Sequence, residues 1–279
     1  MDKETTRPRE AGSPLSQGRI KDLLRTETIG RELRLLGETG STNSDLARAA
    51  AEGAPDGTVI HAETQRTGHG RQGRGWASPR GTGLYLSILF RPDLEPCQAS
   101  TFPLMVGCAI AEAVQPFLGE KRAMLKWPND ILVEGRKLCG ILCEMKMREG
   151  CAKVDHVIAG IGLNVNLRLS DLDPETAKIA TSLSIATGET FEREEVFVAI
   201  LQAIERAYRL WLADGFGPFP ARIAERDALA GRPISVDRGD GHVISGVADG
   251  LFPDGSLRLR LPDGTVEPVY SGDAHILRS

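Results

Sequence analysis

Hydrophobic and polar positions along this chain follow two periodicities, one typical of helices and one typical of buried strands. Apolar residues recur at helical spacing over residues 102–118 and, on one face, over 192–212. Between them lie short, β-prone apolar runs bounded by polar and glycine-bearing segments, which predict strands. The predicted strands lie at the end of 19–36 and at 58–63, 84–90, 123–126, 137–146 and 156–166. Helices interspersed with strands predict an α/β domain.

The pattern changes near Gly231. From there onward we predict at least four short alternating strands, broken by Asp-Gly pairs at 240–241, 254–255 and 263–264. An Asp-Gly pair between alternating hydrophobic residues is a strong hairpin signal. We therefore predict a small SH3-like barrel over residues 229–279.

Composition narrows the class of protein. The 279 residues are 41% hydrophobic and carry a net charge of −4, which argues against a surface for nucleic acid. No apolar run approaches the length of a membrane span. We expect residues 1–18, which are polar and contain proline and glycine, to be a disordered tail, and residues 19–228 to be one domain. The chain has five cysteines without metal-type spacing, so we expect a cytoplasmic protein.

A glycine-punctuated basic loop from Thr67 to Trp76, called the glycine-arginine loop below, carries the strongest chemical signal. It has four glycines in eight residues, which let the backbone lie close to a ligand, and its arginines supply forked, permanently charged donors. The loop lacks the Lys-Ser/Thr end of a P-loop, and it precedes a strand where a dinucleotide loop must precede a helix. It therefore predicts a site for a small anion, or for a molecule that passes through an anionic transition state, with a solvated basic hairpin as the alternative.

Polar clusters stand at three further places, each with a structural alternative. Residues 41–43 (Ser-Thr-Asn) precede a helix, where one of them is enough to cap it and the others are free to bind polar ligand atoms. Lys126 and Lys137 form a cationic pair around a Trp-Pro-Asn-Asp segment; simple turn chemistry is the alternative for the segment, and a solvated strand edge is the alternative for the lysines. The glycines before Asn164 indicate the close approach of a ligand or of another backbone segment.

Four local patterns, in this order and with the small C-terminal β-domain, resemble bacterial biotin protein ligase, the biotin–[acetyl-CoA-carboxylase] ligase family. They are Ser41-Thr42-Asn43; Gln65 with Gly68-His69-Gly70-Arg71-Gln72-Gly73-Arg74; Lys126-Trp127-Pro128-Asn129-Asp130 with Arg136-Lys137-Leu138-Cys139-Gly140; and Gly160-Ile161-Gly162-Leu163-Asn164. The resemblance covers about residues 30–279, and the combination is specific although no single pattern is.

The resemblance implies a fold, α/β (α+β), in which a mixed-sheet catalytic domain of the biotin/lipoate ligase kind precedes a C-terminal SH3-like barrel. It implies that ATP and biotin are the substrates, that they form biotinyl-5′-AMP, and that a lysine of a biotin carboxyl carrier protein then takes the biotin. Negative charge develops near the α-phosphate in both steps, so cations and backbone N–H groups are the expected catalytic apparatus. Little covalent chemistry falls to the protein itself.

Site residues follow from the same resemblance, matched position by position. The implied catalytic residues are Lys137, on the biotin carboxylate and α-phosphate, and Arg71. The implied biotin-binding residues are Ser41, Thr42, Asn43, Gln65, His69, Gly70, Arg71, Lys137 and Gly140. The implied ATP- and adenylate-binding residues are Gly68, Arg71, Arg74, Trp76, Lys126, Asn129, Asp130 and Asn164. Asp130 is also the expected contact for Mg²⁺, which reaches such sites through phosphates and one or two carboxylates.

Two departures from the family pattern matter. The family loop commonly reads Gly-Arg-Gly-Arg, whereas His69 replaces the first arginine here. A neutral imidazole lacks the fixed charge, so we expect weaker retention of the adenylate near neutral pH. Some relatives carry an N-terminal winged helix-turn-helix, and forty residues before Ser41 are too few for one. We therefore expect a monofunctional ligase that binds neither DNA nor membrane, as a monomer or homodimer.

Two other functions compete with this interpretation. A lipoate–protein ligase shares the fold and the adenylate chemistry, although the glycine-arginine loop and the barrel favour biotin. A nucleic-acid-binding module would use the basic residues at 66–80, but the acidic net charge and the few aromatic residues beside them argue against it.

Overall fold

The computed structural model describes residues 12–239 and 242–277, which form a seven-stranded mixed sheet, flanking helices and a separate five-stranded sheet. The prediction of a mixed-sheet α/β domain followed by a small β-domain is confirmed. The helices are α1 (Gln17–Leu23), α2 (Thr42–Ala51), α3 (Pro96–Ala99), α4 (Phe102–Val114), α5 (Pro174–Ile179), α6 (Leu183–Thr187), α7 (Arg193–Asp214) and α8 (Phe219–Ala224).

The large sheet has the strand order β1-β2-β3-β7-β6-β5-β4. Its strands are β1 (Leu33–Leu36), β2 (Val59–Ala62), β3 (Gly83–Phe90), β4 (Met124–Lys126), β5 (Asp130–Val133), β6 (Arg136–Met147) and β7 (Val154–Asn164). The β1–β2 pair is parallel and the other pairs are antiparallel. The sheet is mixed because only β1 and β2 are joined through a crossover helix, α2.

The two faces of the sheet are covered differently. Every residue of β3 is buried, and side chains alternate between the faces. Leu86 and Ile88 belong to the main core beneath α4 and α7, whereas Leu89 packs with Leu46 of α2 on the opposite face. Ser87 therefore points toward α2, and the functional cavity lies on this second face.

The small sheet is antiparallel, with the order β11-β10-β9-β8-β12. Two of the predicted Asp-Gly pairs lie at its turns, where Gly255 and Gly264 have φ of 81° and 88°. The third pair, 240–241, lies outside the described residues. The strands of the small sheet are β8 (Pro233–Asp237), β9 (Val243–Leu251), β10 (Leu257–Arg260), β11 (Val266–Val269) and β12 (Asp273–Ile276).

Two expectations need correction. The segment between the strands predicted at 123–126 and 137–146 contains a strand of its own, β5, because positive φ at Glu134 and Gly135 turns the chain back directly into β6. The tail predicted over 1–18 is too long: Leu15 is buried and α1 begins at Gln17, while residues 1–11 lie outside the described part. The boundary at 228/229 stays a prediction.

A buried salt bridge explains why the chain near Leu15 is ordered. The Leu15 N–H donates to Glu63 Oε1 at 2.9 Å, and Arg193 donates to Glu63 Oε2 at 2.8 Å and to the Ser13 carbonyl at 2.6 Å. Leu15 therefore completes the partner set of a charge pair that would be costly to leave unsatisfied. The polar composition of residues 1–18 gave no sign of this contact.

One helical segment is apolar enough to be compared with a membrane span. By length and composition the segment 96–117 is long and apolar enough to cross a membrane, but 67% of its most apolar part is buried inside the fold. In the structure it is broken into α3, α4 and a short 3₁₀ turn, and α4 packs against α7. Its apolar character is that of a core helix.

Candidate active site

A cavity of about 340 Å³ opens on the α2 face of the sheet, between the glycine-arginine loop, β4–β5 and the edge of the small sheet. It brings together nearly all of the residues that the sequence singled out. The predicted residues lining it are Ser41, Thr42, Asn43, Gln65, His69, Gly70, Arg71, Arg74, Trp76, Lys126, Asn129, Asp130, Lys137, Gly140 and Asn164. Gly68 is not among the lining residues; its carbonyl accepts from the Trp76 N–H and closes the loop.

Glycines form the floor of this cavity. Gly140 of β6 pairs directly with Gly162 of β7, and the Trp76 indole lies on both. A Cβ at Gly162 would come within 2.3 Å of the Trp76 ring, and one at Gly140 within 2.8 Å. Gly160 has the same role under Asn43, where a Cβ would lie 2.3 Å from the side-chain oxygen. The floor needs glycine because side chains press against the backbone from above.

A chain of hydrogen-bonded polar side chains, most of them uncharged, runs from one end of the cavity into the sheet, and three of its members, Thr42, Asn43 and Gln65, line the cavity. Gln65 Oε1 accepts from the Thr42 N–H at 2.8 Å and lies 3.1 Å from Thr42 Oγ1. The Ser87 hydroxyl lies 2.7 Å from Thr42 Oγ1 and 2.5 Å from Asn43 Oδ1. Asn43 Nδ2 donates to Glu144 Oε2 at 2.5 Å. We call this set, residues 42, 43, 65, 87 and 144, the polar chain.

The other end of the cavity is charged, and four cations meet there. Lys137 Nζ lies 2.8 Å from Asp130 Oδ1 and 5.3 Å from the centre of the Trp76 ring. Asp130 Oδ1 is buried and forms no well-aligned hydrogen bond within the described residues, so the Lys137 ammonium is its main compensation. The cations at this end are Arg71, Arg74, Lys126 and Lys137.

The small sheet contributes a carboxylate to the charged end. Asp273, at the start of β12, pairs with Arg74 and lies 3.7 Å from Arg71 Nη1. Arg71 also donates to the Gly272 carbonyl at 3.1 Å and to Asn129 Oδ1 at 3.4 Å. The glycine-arginine loop is therefore held from two sides, by β12 and by the segment before β5.

Lys126 is the cation most affected by its surroundings. Burial lowers its pKa, and the nearby charges of Lys137 and Arg74 lower it further, whereas Asp130 and Asp273 oppose the shift. Four positive groups around two carboxylates leave a surplus of positive charge. This end is arranged to receive an anion with several charges.

Sequence reasoning missed two groups of lining residues. Asp273, Ala274 and His275 belong to β12, and nothing in their local pattern marks them as near the loop. Leu167, Leu172, Thr176, Ile179 and Ala180 follow β7 and line the cavity beside Asn164. Ile179 is 63% exposed, which is unusual for a large apolar side chain at a cavity mouth. The sequence signal for this second group is weak, because it consists of one apolar residue, Ile179, in a polar segment.

Comparisons with known proteins agree with this geometry. Residues 39–164 match the family model described as "Biotin/lipoate A/B protein ligase family", and residues 230–276 match "Biotin protein ligase C terminal domain". The chain is 35% identical over 262 residues to "Bifunctional ligase/repressor BirA" of Bacillus spizizenii, covering 94% of this chain and 79% of that protein. It is 33% identical over 282 residues to "Biotin--[acetyl-CoA-carboxylase] ligase" of Mycobacterium tuberculosis, covering 99% of each.

A solved structure shows the same architecture. "Biotin protein ligase from Aquifex aeolicus in complex with biotin and ATP" superposes with a TM-score of 0.76 at 29% identity, covering 89% of this chain and 100% of that one. The fold and the cavity define a ligase of the biotin/lipoate class. The match of the C-terminal domain and the full-length relatives narrow the class, and the chain belongs to the biotin protein ligase family.

Proposed function

We propose that this protein activates biotin with ATP to biotinyl-5′-AMP and transfers the biotin to a lysine of a biotin carboxyl carrier protein, as a biotin–[acetyl-CoA-carboxylase] ligase. The observation that carries the proposal is one continuous cavity with a buried hydrogen-bonding end and a cationic end. Biotin has a neutral ureido ring at one end and a carboxylate at the other. The cavity matches that distribution, and its cationic end can also receive the phosphates of ATP.

The ureido ring lies among Ser41, Thr42, Asn43 and Gln65 in this proposal. These side chains are held at the N-terminus of α2 and on the sheet face, with Thr42 and Asn43 only 3% and 5% exposed. A buried polar group that loses its hydrogen bond is costly, so a ligand that fails to pair with them is rejected. His69, Gly70 and Gly140 complete this biotin site.

Adenylation takes place at the charged end. A carboxylate oxygen of biotin attacks the α-phosphorus, a C–O–P bond forms, the bond to the β-phosphate breaks, and pyrophosphate leaves. Lys137 contacts the carboxylate and the α-phosphate, and Arg71 closes over them from the loop. Fixed cations stabilise charge that develops during the reaction without reorganising. Arg74, Trp76, Lys126, Asn129, Asn164 and Gly68 form the nucleotide side of the site.

Magnesium fits this site only as a companion of ATP. The described residues contain no cluster of three or more histidine, cysteine or acidic side chains that would hold a metal by themselves. Asp130 supplies one buried carboxylate oxygen, which suits a metal held mainly by phosphates and water. When bound, the metal would neutralise phosphate charge.

Transfer to the carrier protein completes the reaction. The carrier's lysine amine attacks the acyl carbon of the mixed anhydride, an amide forms, and AMP leaves with the bonding electrons. β5 pairs with β6 only as far as Gly140, so residues 142–147 have β7 on one side and a free edge on the other within the described part of the chain. We propose that this edge docks the carrier or pairs with a second copy in a homodimer.

The free thiols support a cytoplasmic location for the proposed enzyme. All five cysteines are unpaired. Burial raises the pKa of the Cys139 and Cys143 thiols, which therefore behave as small core residues. A ligase acting on a cytoplasmic carboxylase would meet its carrier in the same compartment.

Pyrophosphate release from the purified protein with Mg-ATP and either biotin or lipoate tests the proposal. Biotin-dependent release, followed by biotinylation of an apo carrier domain detected with labelled streptavidin, is the expected result. Release only with lipoate would keep the fold and overturn the substrate. No release with either acid would make the cavity a binding site without adenylation.

A further inference from the structure

The polar chain has fewer protons than oxygen contacts. Its four oxygens run from Asn43 Oδ1 through Ser87 Oγ and Thr42 Oγ1 to Gln65 Oε1, with gaps of 2.5, 2.7 and 3.1 Å. Each hydroxyl has one proton, and the two amide oxygens have none. Two protons must therefore serve three gaps, and one gap has no hydrogen bond.

Neighbouring groups outside this series of four oxygens fix the orientation of both amides, those of Gln65 and Asn43. Gln65 Oε1 accepts from the Thr42 backbone N–H at 2.8 Å, so the oxygen of this amide faces Thr42. Asn43 Nδ2 lies 2.5 Å from Glu144 Oε2, and an ionised carboxylate can only accept. Asn43 therefore presents its oxygen to Ser87, which must donate to it.

The oxygen–oxygen gap that has no hydrogen bond lies on the cavity side. Ser87 uses its proton on Asn43, so Thr42 has one proton for two possible acceptors, Ser87 Oγ at 2.7 Å and Gln65 Oε1 at 3.1 Å. Thr42 donates to Ser87, because only the shorter distance lies within the usual range of an O–H···O hydrogen bond. The 3.1 Å gap between Thr42 Oγ1 and Gln65 Oε1 is then left without a proton, and both residues line the cavity. Two acceptors side by side are a recognition site for an N–H donor.

We propose that Glu144 is a positioning residue that sets the direction of the polar chain and so makes the pocket select a ligand with an N–H group. The inference rests on the proposed function, in which that ligand is biotin, whose ureido ring carries two N–H groups. The dithiolane ring of lipoate carries none. Glu144 acts through Asn43 and Ser87, from an exposed position on β6.

Glu144→Gln is the sharpest test, because a glutamine amide can donate. Asn43 is then free to turn its amide, Ser87 donates to Thr42, and Thr42 donates to Gln65, so the chain closes without a ligand. The dissociation constant for biotin should rise by about tenfold, the size of one oriented hydrogen bond. The KM for ATP, and kcat for pyrophosphate release at saturating biotin, should stay unchanged.

Matched variants separate this effect from charge and packing. Glu144→Asp keeps an acceptor-only group and should retain most of the biotin affinity. Glu149→Gln removes the same charge in the turn after β6 and should behave as wild type. Equal losses in Glu144→Gln and Glu144→Asp, or a wild-type affinity in Glu144→Gln, would overturn the inference.

A double-mutant cycle with Thr42→Val shows whether Glu144 acts through the hydroxyl. If it does, Glu144→Gln adds less than about twofold in the Thr42→Val background. Independent, additive losses would overturn the inference while leaving the proposed function intact. A wild-type protein that binds no biotin in calorimetry would overturn both.

Discussion

The two ends of the cavity solve the problem of binding in different ways. The polar chain is made of buried or half-buried side chains on α2, after β2 and on β3, together with the exposed Glu144 of β6, and the direction of its hydrogen bonds is fixed before any ligand arrives. The charged end is made of half-buried or exposed cations, two of them on a loop, and they are paired with carboxylates of the protein itself. A neutral network can be preorganised at little cost, whereas like charges brought together need counter-ions.

The consequence is a division of labour. Changes to the polar chain should alter affinity for biotin, because they change a fixed pattern of donors and acceptors. Changes to the charged end should alter the chemical step and the response to ATP, because phosphates must replace Asp130 and Asp273 as partners of the cations. Each of the following variants tests one side of this division.

Lys137→Ala should have the largest effect, a loss of about 10²–10³-fold in kcat for biotin-dependent pyrophosphate release, the range for removing one group that stabilises a transition state. Biotin binding in the absence of ATP should weaken far less, since the ring end is untouched. Steady-state kinetics and calorimetry together measure the split. Lys121→Ala, which removes an exposed lysine paired with Glu134, is the control. Equal losses in biotin affinity and in kcat would contradict the proposed separation of binding and chemistry between the two ends.

Gly160→Ala and Gly162→Ala should separate the two ends on a single strand. The first places a Cβ 2.3 Å from Asn43 Oδ1, and the second places one 2.3 Å from the Trp76 ring, beside Lys137. We expect Gly160→Ala to weaken biotin binding by about ten- to a hundredfold, through the broken polar chain. Gly162→Ala should lower kcat more than affinity.

Calorimetric biotin binding and pyrophosphate release, measured on both glycine variants, decide this. Gly18→Ala is the control, since a Cβ there meets no atom closer than 3.9 Å. The same profile in both variants would show that the floor acts as one unit and would contradict the separation.

Asp273→Asn should loosen the glycine-arginine loop. With the carboxylate gone, Arg71 and Arg74 lose a charged partner, so trypsin should cleave after them several-fold faster in the ligand-free protein. Mass spectrometry of the early fragments identifies the sites. Asp249→Asn is matched, because Asp249 also pairs with two arginines, Arg258 and Arg260, within the small sheet. Unchanged cleavage would mean that Gly272 and Asn129 alone hold the loop.

The smallest expected effect is an uptake of protons when ATP binds. Burial and neighbouring cations lower the pKa of Lys126 in the ligand-free protein, so part of the population is neutral at alkaline pH. Phosphate stabilises the ammonium and raises that pKa, so ATP binding takes up a fraction of a proton between the two values and none below the lower one. Calorimetry over a series of alkaline pH values, in buffers of different ionisation enthalpy, measures it. Lys126→Met should abolish the uptake.

Much of the fold could be predicted from the pattern of hydrophobic residues alone. The runs at 84–90 and 156–166 were apolar and β-prone, and they became β3 and β7 at the centre of the sheet. The amphipathic stretch at 192–212 became α7. Helix α7 is visible because burial on one face imposes a helical repeat, whereas β3 and β7 are visible because strands buried on both faces form nearly continuous apolar runs. Strand β5 was not predicted, because a four-residue strand joined to β6 by a tight turn cannot be distinguished by pattern from the loop around it.

The amino-acid sequence by itself determined the chemistry of the site: the glycine-arginine loop, the Ser-Thr-Asn triplet and the two lysines are local patterns with local reasons. Only the tertiary structure decided how they are joined. Ser87 reads as one residue in a buried strand, and Asp273 as one residue in a C-terminal hairpin. The first closes the polar chain and the second pairs with the loop, because strand register and the packing of the two sheets bring together residues between 44 and 202 positions apart.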